Sequence, residues 1–254
     1  MKRVLLPTLT MLLLLACWEL GVRWAQIPSY TLPAPSVVAQ TLWLQLPSLT
    51  LSWWFTLKVT LSALALACAG GVAIAAAFAL LPALEVALLP VAVILQVTPV
   101  VAIAPLILIY IDSTTAALLL CAWIVAFFPI LSNTLLGLRA ADPNLRDLFR
   151  LYRATPWQRL RWLLTPTALP YFLGGLQISA GLSLIGAVTA EMVAGAAGRE
   201  TGLASRILEA SFRTETPKMF AALTLLVLTG VLLFVGCNAL SRGLLGRWHP
   251  TSRT

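Results

Sequence analysis

The residues of this chain best placed to do chemistry lie in one stretch, Leu138 to Pro166, called the Arg-rich loop below. It reads LRAADPNLRDLFRLYRATPWQRLRWLLTP and holds six arginines, in a chain of 254 residues of which only 10% are charged. Apolar side chains recur between the arginines at the i, i+3, i+4, i+7 spacing of one helix face. They are Leu145, Leu148, Phe149 and Tyr152. The pattern predicts an apolar ridge rimmed by positive charge, which suits docking rather than catalysis.

Catalytic and metal-binding motifs are missing from the sequence. The single histidine, His249, follows the last apolar segment, so no Ser/His/Asp or Cys/His constellation can form. There is no G-x4-G-K-[ST] loop to cradle the phosphates of ATP. The four cysteines lie in apolar segments without a CxxC pair, as expected of small buried side chains. We therefore predict a chain that is not an enzyme and that binds no metal or cofactor itself.

The segments that must position the Arg-rich loop are long and apolar. Hydrophobic residues make up 60% of the chain, well above the share found in soluble domains, and the mean hydropathy is +0.93. About 20 apolar residues cross a bilayer as a helix. Qualifying stretches are Val59–Leu84, Val86–Ile111, Ser113–Leu138, Leu163–Ala190 and Met219–Ser241, with Val4–Trp18 a shorter one. The prediction is an all-α, polytopic membrane protein with about six transmembrane helices.

The chain is predicted to form one transmembrane domain over residues 1–254. Three prolines between residues 28 and 35 interrupt the helix after the first span. The tryptophans that follow suit a membrane–water interface. The expected divisions are a first span in 1–22, an extracytoplasmic connector in 23–55, core spans in 56–246 with the loop at 139–166, and a tail in 247–254.

The distribution of positive charge predicts the orientation. With the N-terminus inside and six spans, the inner segments hold 11 of the 17 basic residues, as the positive-inside rule requires. Both termini and the Arg-rich loop are then cytoplasmic, and the net charge of +8 reflects topology in the lipid bilayer rather than nucleic-acid binding. An alternative is that MKRVLLPTLTMLLLLAC is a lipoprotein-like signal ending at Cys17, whose cleavage would place the N-terminus outside.

Two helices are expected in the Arg-rich loop. Pro143 and Pro156 each follow a residue that favours the N-cap position, and proline is common at the first helical position. The first helix should run over about 143–154. The second should run over about 156–164 and be stopped by Pro166. Two interpretations remain: an amphipathic helix lying flat on anionic lipid, or a ridge that docks into a groove on a soluble partner.

Prolines, glycines and polar residues inside the spans suggest a pathway. Proline is tolerated in a span where neighbours or water satisfy the freed carbonyls, which often marks a cavity-lining helix. A merely kinked packing helix is the alternative. Glu191, which ends the fifth span, could pair with a base, face the pathway, meet an outer partner, or be structural or solvated. The candidates are Gln96, Pro99, Pro105, Gln177, Gly181 and Glu191.

Four further features carry expectations of their own. Asp112 should cap the fourth span, and Glu85 should be solvated at the inner turn near Pro82. Lys58 should snorkel to the outer interface. A short helix is expected at Leu203–Phe212.

The Arg-rich loop resembles the cytoplasmic EAA loop of ATP-binding-cassette importer permeases, which has the form E-A-A-x3-G-x9-I-x-L-P. Asp147-Leu148-Phe149 stands at E-A-A, Arg153 at the glycine, and Leu163-Leu164-Thr165-Pro166 at I-x-L-P. Arg153 is the sharpest departure, because glycine there allows a tight turn.

Other segments extend the resemblance from about residue 30 to the end. LPAPSVV, LQVTPVVAIAPL, FFPILSNTLLGLRAAD, ATPWQRLRWLLTPTALPYFLGGLQI and AEMVAGAAGRETGLA follow in the family's order. Together they are similar to the nitrate/sulfonate/taurine-type branch. The segment RETGLASRILEASFRTETPKMFAALTLL is similar to members linked with uptake of thiamine-pyrimidine precursors.

The resemblance implies a transmembrane subunit of the bacterial inner membrane that works as a pair, by default a homodimer. A cytoplasmic ATPase dimer would bind ATP and receive the loop, and an extracytoplasmic binding protein would deliver a small solute. The coupling residues it implies are Leu145, Asp147, Leu148, Phe149, Tyr152, Arg153, Ala154, Thr155, Pro156 and Pro166. The alternatives are a secondary transporter, which would usually show inverted repeats and midplane acids, and a scaffold whose loop binds lipid.

Overall fold

The computed structural model describes residues 2–195 and 201–246, and the side chains from Leu5 onward within them. These residues form ten α-helices and one π-helical turn, with no strand among them. The helices are α1 (Lys2–Trp24), α2 (Pro35–Leu80), α3 (Pro82–Val97), α4 (Val100–Tyr110), α5 (Thr114–Arg139), α6 (Pro143–Leu151), α7 (Pro156–Arg159), α8 (Thr165–Ala194), α9 (Leu203–Phe212) and α10 (Thr216–Leu245). The predicted tail, 247–254 with His249, lies outside the described residues.

Five helical segments are long and apolar enough to cross a membrane. They are α1, α2, α5, the segment Pro156–Ala194 that contains α7 and α8, and α10. The pair α3 and α4 supplies a sixth span if its two helices, bent by 99°, cross together. The predicted all-helical, multi-pass architecture is confirmed, as is the short helix α9.

The third span is broken rather than continuous, so the predicted helix over Val86–Ile111 is wrong in its middle. Thr98 and Pro99 both adopt extended backbone conformations, with ψ of 122° and 112°. Proline disfavours helical geometry in the residue before it, and here that residue is Thr98. Pro90 and Pro105 lie inside α3 and α4, so only the proline at the break interrupts the helix.

The connector after the first span contains more helix than expected. The prolines near residue 30 do separate α1 from α2, which begins at Pro35. From there α2 runs for 46 residues with Pro47 inside it, so the Trp-rich segment belongs to the same helix as the second span. The predicted break near Pro82 is confirmed: Leu81 separates α2 from α3, and Pro82 is at the first position of α3.

The chain divides into two compact units, the first formed by Met1–Phe55 and Gly195–Leu228. In this unit the Glu19 carboxylate accepts hydrogen bonds from the backbone N–H and the hydroxyl of Ser36, at 3.0 and 2.8 Å, which joins α1 to the start of α2. In α9, Arg206 donates to Glu209 at 3.0 Å. That hydrogen bond holds the pKa of Glu209 below its usual value.

The second unit, Thr56–Ala194 and Thr229–Thr254, contains the main core. Its α5 and α8 pack closely because glycine lets their backbones approach. A Cβ atom on Gly186 of α8 would lie 2.9 Å from the Cα of Ala122 on α5. The same holds between α2 and α5, where a Cβ atom on Gly71 would lie 2.7 Å from the Ile130 side chain. These contacts give the second and fifth spans close-packing faces of small residues. On the fifth span Gly175 also belongs to the face, whereas Gly174 and Gly181 meet no atom within 4 Å.

Ser113, not Asp112, caps the fourth span. The Ser113 hydroxyl accepts a hydrogen bond from the Ala116 N–H at 3.3 Å, and Ser113 has the extended backbone of an N-cap residue. The carboxylate of Asp112 stands one position too early to do this. The expectation for Asp112 is therefore wrong.

Candidate functional site

The Arg-rich loop begins with a capped helix, as its sequence predicts. Asp142 is the N-cap of α6, and its carboxylate accepts a hydrogen bond from the Asn144 N–H at 2.7 Å. Pro143 takes the first helical position, where its missing N–H costs nothing. The cap also places a negative charge at the positive end of the helix dipole.

The first helix ends at Leu151 and not at residue 154. The Arg153 N–H bonds to the Arg150 carbonyl and the Ala154 N–H to the Phe149 carbonyl, both at 2.9 Å. This pair of bonds is the Schellman ending of a helix, which usually requires glycine at the left-handed position. Arg153 occupies that position with φ of +51°. The family's glycine turn is therefore formed here by an arginine, at a conformational cost of about 1 kcal/mol.

The second helix starts after Thr155 as predicted, and the structure adds a capping box there. The Thr155 hydroxyl accepts from the Gln158 N–H at 3.3 Å, and the Gln158 side chain accepts from the Thr155 N–H at 2.8 Å. Pro156 occupies the first helical position.

The second helix does not stop at Pro166, which corrects the expectation. After α7 the backbone passes through a π-helical turn, Leu160–Leu164, and continues directly into α8. The Thr165 N–H and hydroxyl both donate to the Leu160 carbonyl, the hydroxyl at 2.8 Å. Pro166 has no N–H to donate to the preceding turn, and the wider π-helical turn lets the helix continue past it. The end of the Arg-rich loop and the fifth span are thus one continuous helical segment.

An open groove of about 400 Å³ lies on the surface of the Arg-rich loop. It brings together four of the predicted coupling residues: Leu148, Phe149, Tyr152 and Ala154. Tyr152 is 81% exposed and Leu148 is 44% exposed, and no residue of α6 is buried. Apolar and aromatic side chains that face outward from a capped, rigid turn are typical of a binding surface.

Sequence reasoning missed two residues of the groove, Gln158 and Trp162. They stand four positions apart in one helical segment, and Trp162 is 66% exposed. The helical spacing of an aromatic side chain four residues after the capping glutamine is the signal that could have identified them.

The remaining predicted coupling residues do not line the groove. Leu145 is exposed on α6, and Asp147 pairs with Arg150 at 3.3 Å on the surface. Thr155 and Pro156 start α7, and Pro166 lies within the first turn of α8.

Glu85 is buried and paired, so the expectation that it is solvated is wrong. Only 7% of the residue is exposed, and its carboxylate accepts a hydrogen bond from the Arg139 guanidinium. This ion pair joins the first turn of α3 to the last residue of α5, beneath the Arg-rich loop. A buried carboxylate needs such a partner, because an unpaired charge is costly away from water.

The candidate pathway residues lie on α3, α4 and α8, except Pro99, which lies at the break between α3 and α4. Gln96, Pro99, Pro105 and Gly181 are exposed, and Gln177 is half-buried. α4 packs against α8 in the second unit. Their role in a pathway stays a prediction.

Glu191 is the buried member of that set, with 1% of the residue exposed. Its carboxylate accepts a hydrogen bond at 2.8 Å from the hydroxyl of Thr56, which is equally buried on α2. The structural alternative for Glu191 is therefore supported and the solvated one is wrong. A polar contact in an apolar segment stabilises packing between helices, since no water replaces it.

Five or six candidate spans among the described residues, with an exposed, capped loop between two of them, are typical of a polytopic membrane protein. Residues 69–247 match the family described as "Binding-protein-dependent transport system inner membrane component". The chain belongs to this family and is the transmembrane permease subunit of an ABC importer. Such permeases are transport subunits rather than enzymes, and they work with ATPase and binding-protein partners.

Relatives that match over most of their length are transport permeases. The chain is 36% identical over 250 residues to a riboflavin transport system permease protein of Chloroflexus aurantiacus, covering 95% of this chain and 89% of the relative. It is 32% identical over 245 residues to a formylaminopyrimidine transport permease protein of Halalkalibacterium halodurans, covering 94% of each. A putative aliphatic sulfonates transport permease protein of Bacillus subtilis is 27% identical over 253 residues, covering 98% and 88%.

Proposed function

We propose that the Arg-rich loop couples this permease to its ATPase. The observation that carries the proposal is the open groove formed by Leu148, Phe149, Tyr152, Ala154, Gln158 and Trp162. An exposed apolar and aromatic surface on an arginine-rich loop fits a complementary surface on a soluble partner, where the apolar contacts supply affinity and the charge supplies orientation.

The π-helical turn supports the same proposal. Because α7 passes into α8 without a break, a movement imposed on the loop would be transmitted directly into a membrane span. ATP would bind and be hydrolysed on the partner, and the permease would alternate between inward- and outward-facing states.

The assembly we propose contains two identical permease copies in a bacterial inner membrane, with both termini and the Arg-rich loop in the cytoplasm. The positive-inside distribution of arginines supports this orientation. The two copies would form the pathway between them, lined by Gln96, Pro99, Pro105, Gln177 and Gly181. Glu191 would stabilise the wall of the pathway rather than face it.

Co-purification tests the coupling proposal. The tagged full-length chain is isolated from its native membranes as wild type, as Leu148→Asp and as Leu151→Asp, and bound ATPase activity is assayed. Leu148 lines the groove, whereas Leu151 is exposed on the same helix outside it. Both variants replace leucine by aspartate, so they differ only in position. Leu148→Asp should lose most of the associated ATPase and Leu151→Asp should retain it. Equal retention by both variants, or an ATPase absent from the wild type, would refute the proposal.

For the solute, we propose a nitrogen heterocycle of the flavin or aminopyrimidine class rather than a sulfonate. Of the three relatives above, the two of higher identity carry riboflavin and formylaminopyrimidine in their titles, and the sulfonate relative is more distant. A nitrate- or taurine-like anion, expected from the wider branch, is the competing solute.

The solute class can be tested on the binding protein that is captured by cross-linking to the permease. The thermal unfolding midpoint of that binding protein is measured with riboflavin, formylaminopyrimidine, taurine and nitrate at equal concentrations. A ligand at 100 times its Kd stabilises a protein by about 2.7 kcal/mol, enough for a clear shift. A shift with a heterocycle alone supports the proposal, and a shift with taurine or nitrate alone overturns it.

A further inference from the structure

A second cavity, of about 300 Å³, lies beneath the Arg-rich loop and is called the basic pocket here. Its walls come from the end of α2, the start of α3, the end of α5, and the loop helices α6 and α7. Four arginines line it: Arg139, Arg146, Arg150 and Arg159. With Glu85 as the acidic lining residue, these walls carry a net charge of +3.

Two of the four arginines have no acidic partner among the described residues. Arg139 pairs with Glu85, and Arg150 with Asp147. Arg146 donates only to the backbone carbonyls of Leu138 and Arg139, at 3.3 and 2.5 Å.

The Nε–H groups of Arg146 and Arg159 are buried and have no hydrogen-bond partner within residues 2–195 and 201–246. A buried guanidinium donor without an acceptor is costly, so these two donors favour a bound molecule that supplies the acceptor atoms. Two such donors on the wall of one positively charged pocket point to an anion, and a phosphate has enough oxygens to accept from both.

An apolar groove of about 420 Å³ lies along α3 next to the basic pocket. Glu85 lines both cavities, and the groove is otherwise formed by Val86, Leu89, Pro90, Val93 and Ile94. From Glu85 to Ile94 the helix advances about 13 Å, a length that suits part of an acyl chain.

We propose that the basic pocket binds a phosphate group carried by an anionic phospholipid, with an acyl chain of that lipid in the apolar groove on α3. The positive charge of the basic pocket favours a phosphate, and the adjoining apolar groove favours a lipid as the molecule that carries it. Basic pockets at the membrane surface between spans recognise anionic headgroups in this way. The site tethers the base of the Arg-rich loop to the bilayer, independently of any ATPase or solute.

Native mass spectrometry of the purified full-length chain tests the headgroup contact. Phosphatidylglycerol and phosphatidylcholine are titrated against the wild type, Arg146→Gln/Arg159→Gln, and the control Arg161→Gln. Arg161 is exposed, outside the basic pocket and close to Trp162. The double variant should weaken phosphatidylglycerol binding by about 30-fold, roughly fivefold per arginine, and Arg161→Gln should bind as the wild type does. Equal affinity for the two lipids in the wild type would overturn the proposal.

A groove variant separates lipid from free phosphate and keeps all the arginines. Val93→Phe fills the apolar groove, and Val101→Phe makes the same change at an exposed position on α4 outside it. Val93→Phe should weaken phosphatidylglycerol binding and leave soluble glycerophosphate binding unchanged, whereas Val101→Phe should alter neither. Inorganic phosphate that displaces phosphatidylglycerol at equal concentration would overturn the lipid source. Unchanged lipid binding in both Val93→Phe and the arginine variant would overturn the site.

Discussion

The α5–α8 interface and the Arg-rich loop of the same unit are built on opposite principles. Between α5 and α8, residues distant in sequence meet without side chains between them, as at Gly186 and Ala122. In the Arg-rich loop, the bonds that cap the helices join residues two to five positions apart, and no residue of α6 is buried. One region is stabilised by close approach of backbones and the other by local caps. Changes in the first should therefore destabilise the whole unit, and changes in the second should act locally.

The largest effect is expected at the interface. Gly186→Ala places a Cβ atom 2.9 Å from the Cα of Ala122, which forces α5 and α8 apart. Overpacking of this kind costs about 1–3 kcal/mol. The thermal midpoint in detergent should fall clearly. Gly174→Ala, on the same helix with open space around it, is the control, and equal losses in the two variants would contradict this account of the interface.

A smaller loss should follow removal of the Thr56 hydroxyl. Thr56→Val leaves the buried Glu191 carboxylate without the bond at 2.8 Å, at a cost of about 1–2 kcal/mol. Thr60 is equally buried, but its hydroxyl bonds to the Thr56 carbonyl in its own helix. Thr60→Val should cost about half as much or less in thermal unfolding. The reverse order would mean that the contact with Glu191 contributes little.

In the loop, loss of a cap should cost about 1 kcal/mol and remain local. Thr155→Ala removes the capping box of α7. Hydrogen exchange should accelerate at the first amides of α7, and the global unfolding midpoint should change little. A global shift as large as that of Gly186→Ala would remove the distinction between the two regions.

The smallest effect has the opposite sign. Arg153→Gly relieves the left-handed backbone at φ of +51° and should stabilise the loop by up to about 1 kcal/mol. Arg153→Ala removes the same charge but keeps a Cβ atom, so it should bring no such gain. Slower hydrogen exchange at Tyr152 and Ala154 in the glycine variant alone would confirm the reason. Equal exchange in both variants would assign the effect to charge.

Local chemistry explains which features the sequence could predict. The N-caps before Pro143 and Pro156, the apolar ridge of α6 and the number of spans all depend on residues close together in the chain. The pairing of Glu85 with Arg139 and the burial of Glu191 against Thr56 depend on residues 54 and 135 positions apart. No local pattern encodes such contacts, so reasoning from the sequence placed Glu85 in water.

Some local features were also missed, because two rules compete there. Proline ends many helices, yet Pro166 lies in a helix whose π-helical turn removes the conflict. Glycine usually forms the left-handed turn, yet Arg153 adopts it because the Schellman bonds hold it there. In the candidate site, the sequence predicted the apolar ridge of α6 and the N-caps of the two loop helices. The groove was not predicted, because it also requires Gln158 and Trp162 from the next helical segment.

The π-helical turn at Leu160–Leu164 has a consequence for helical phase. A π-helical turn contains one residue more than an α-helical turn, and each residue of an α-helix turns the axis by about 100°. Removing a single residue between Leu160 and Leu164 would restore regular α-helix there. Because the extra residue is contained within a single wider turn, its removal would leave the direction of the groove around α8 nearly unchanged. A one-residue deletion in the regular part of α8 would instead rotate the groove by about 100°, so the π-helical turn is the place where this segment can lose a residue and keep its docking surface in the same direction.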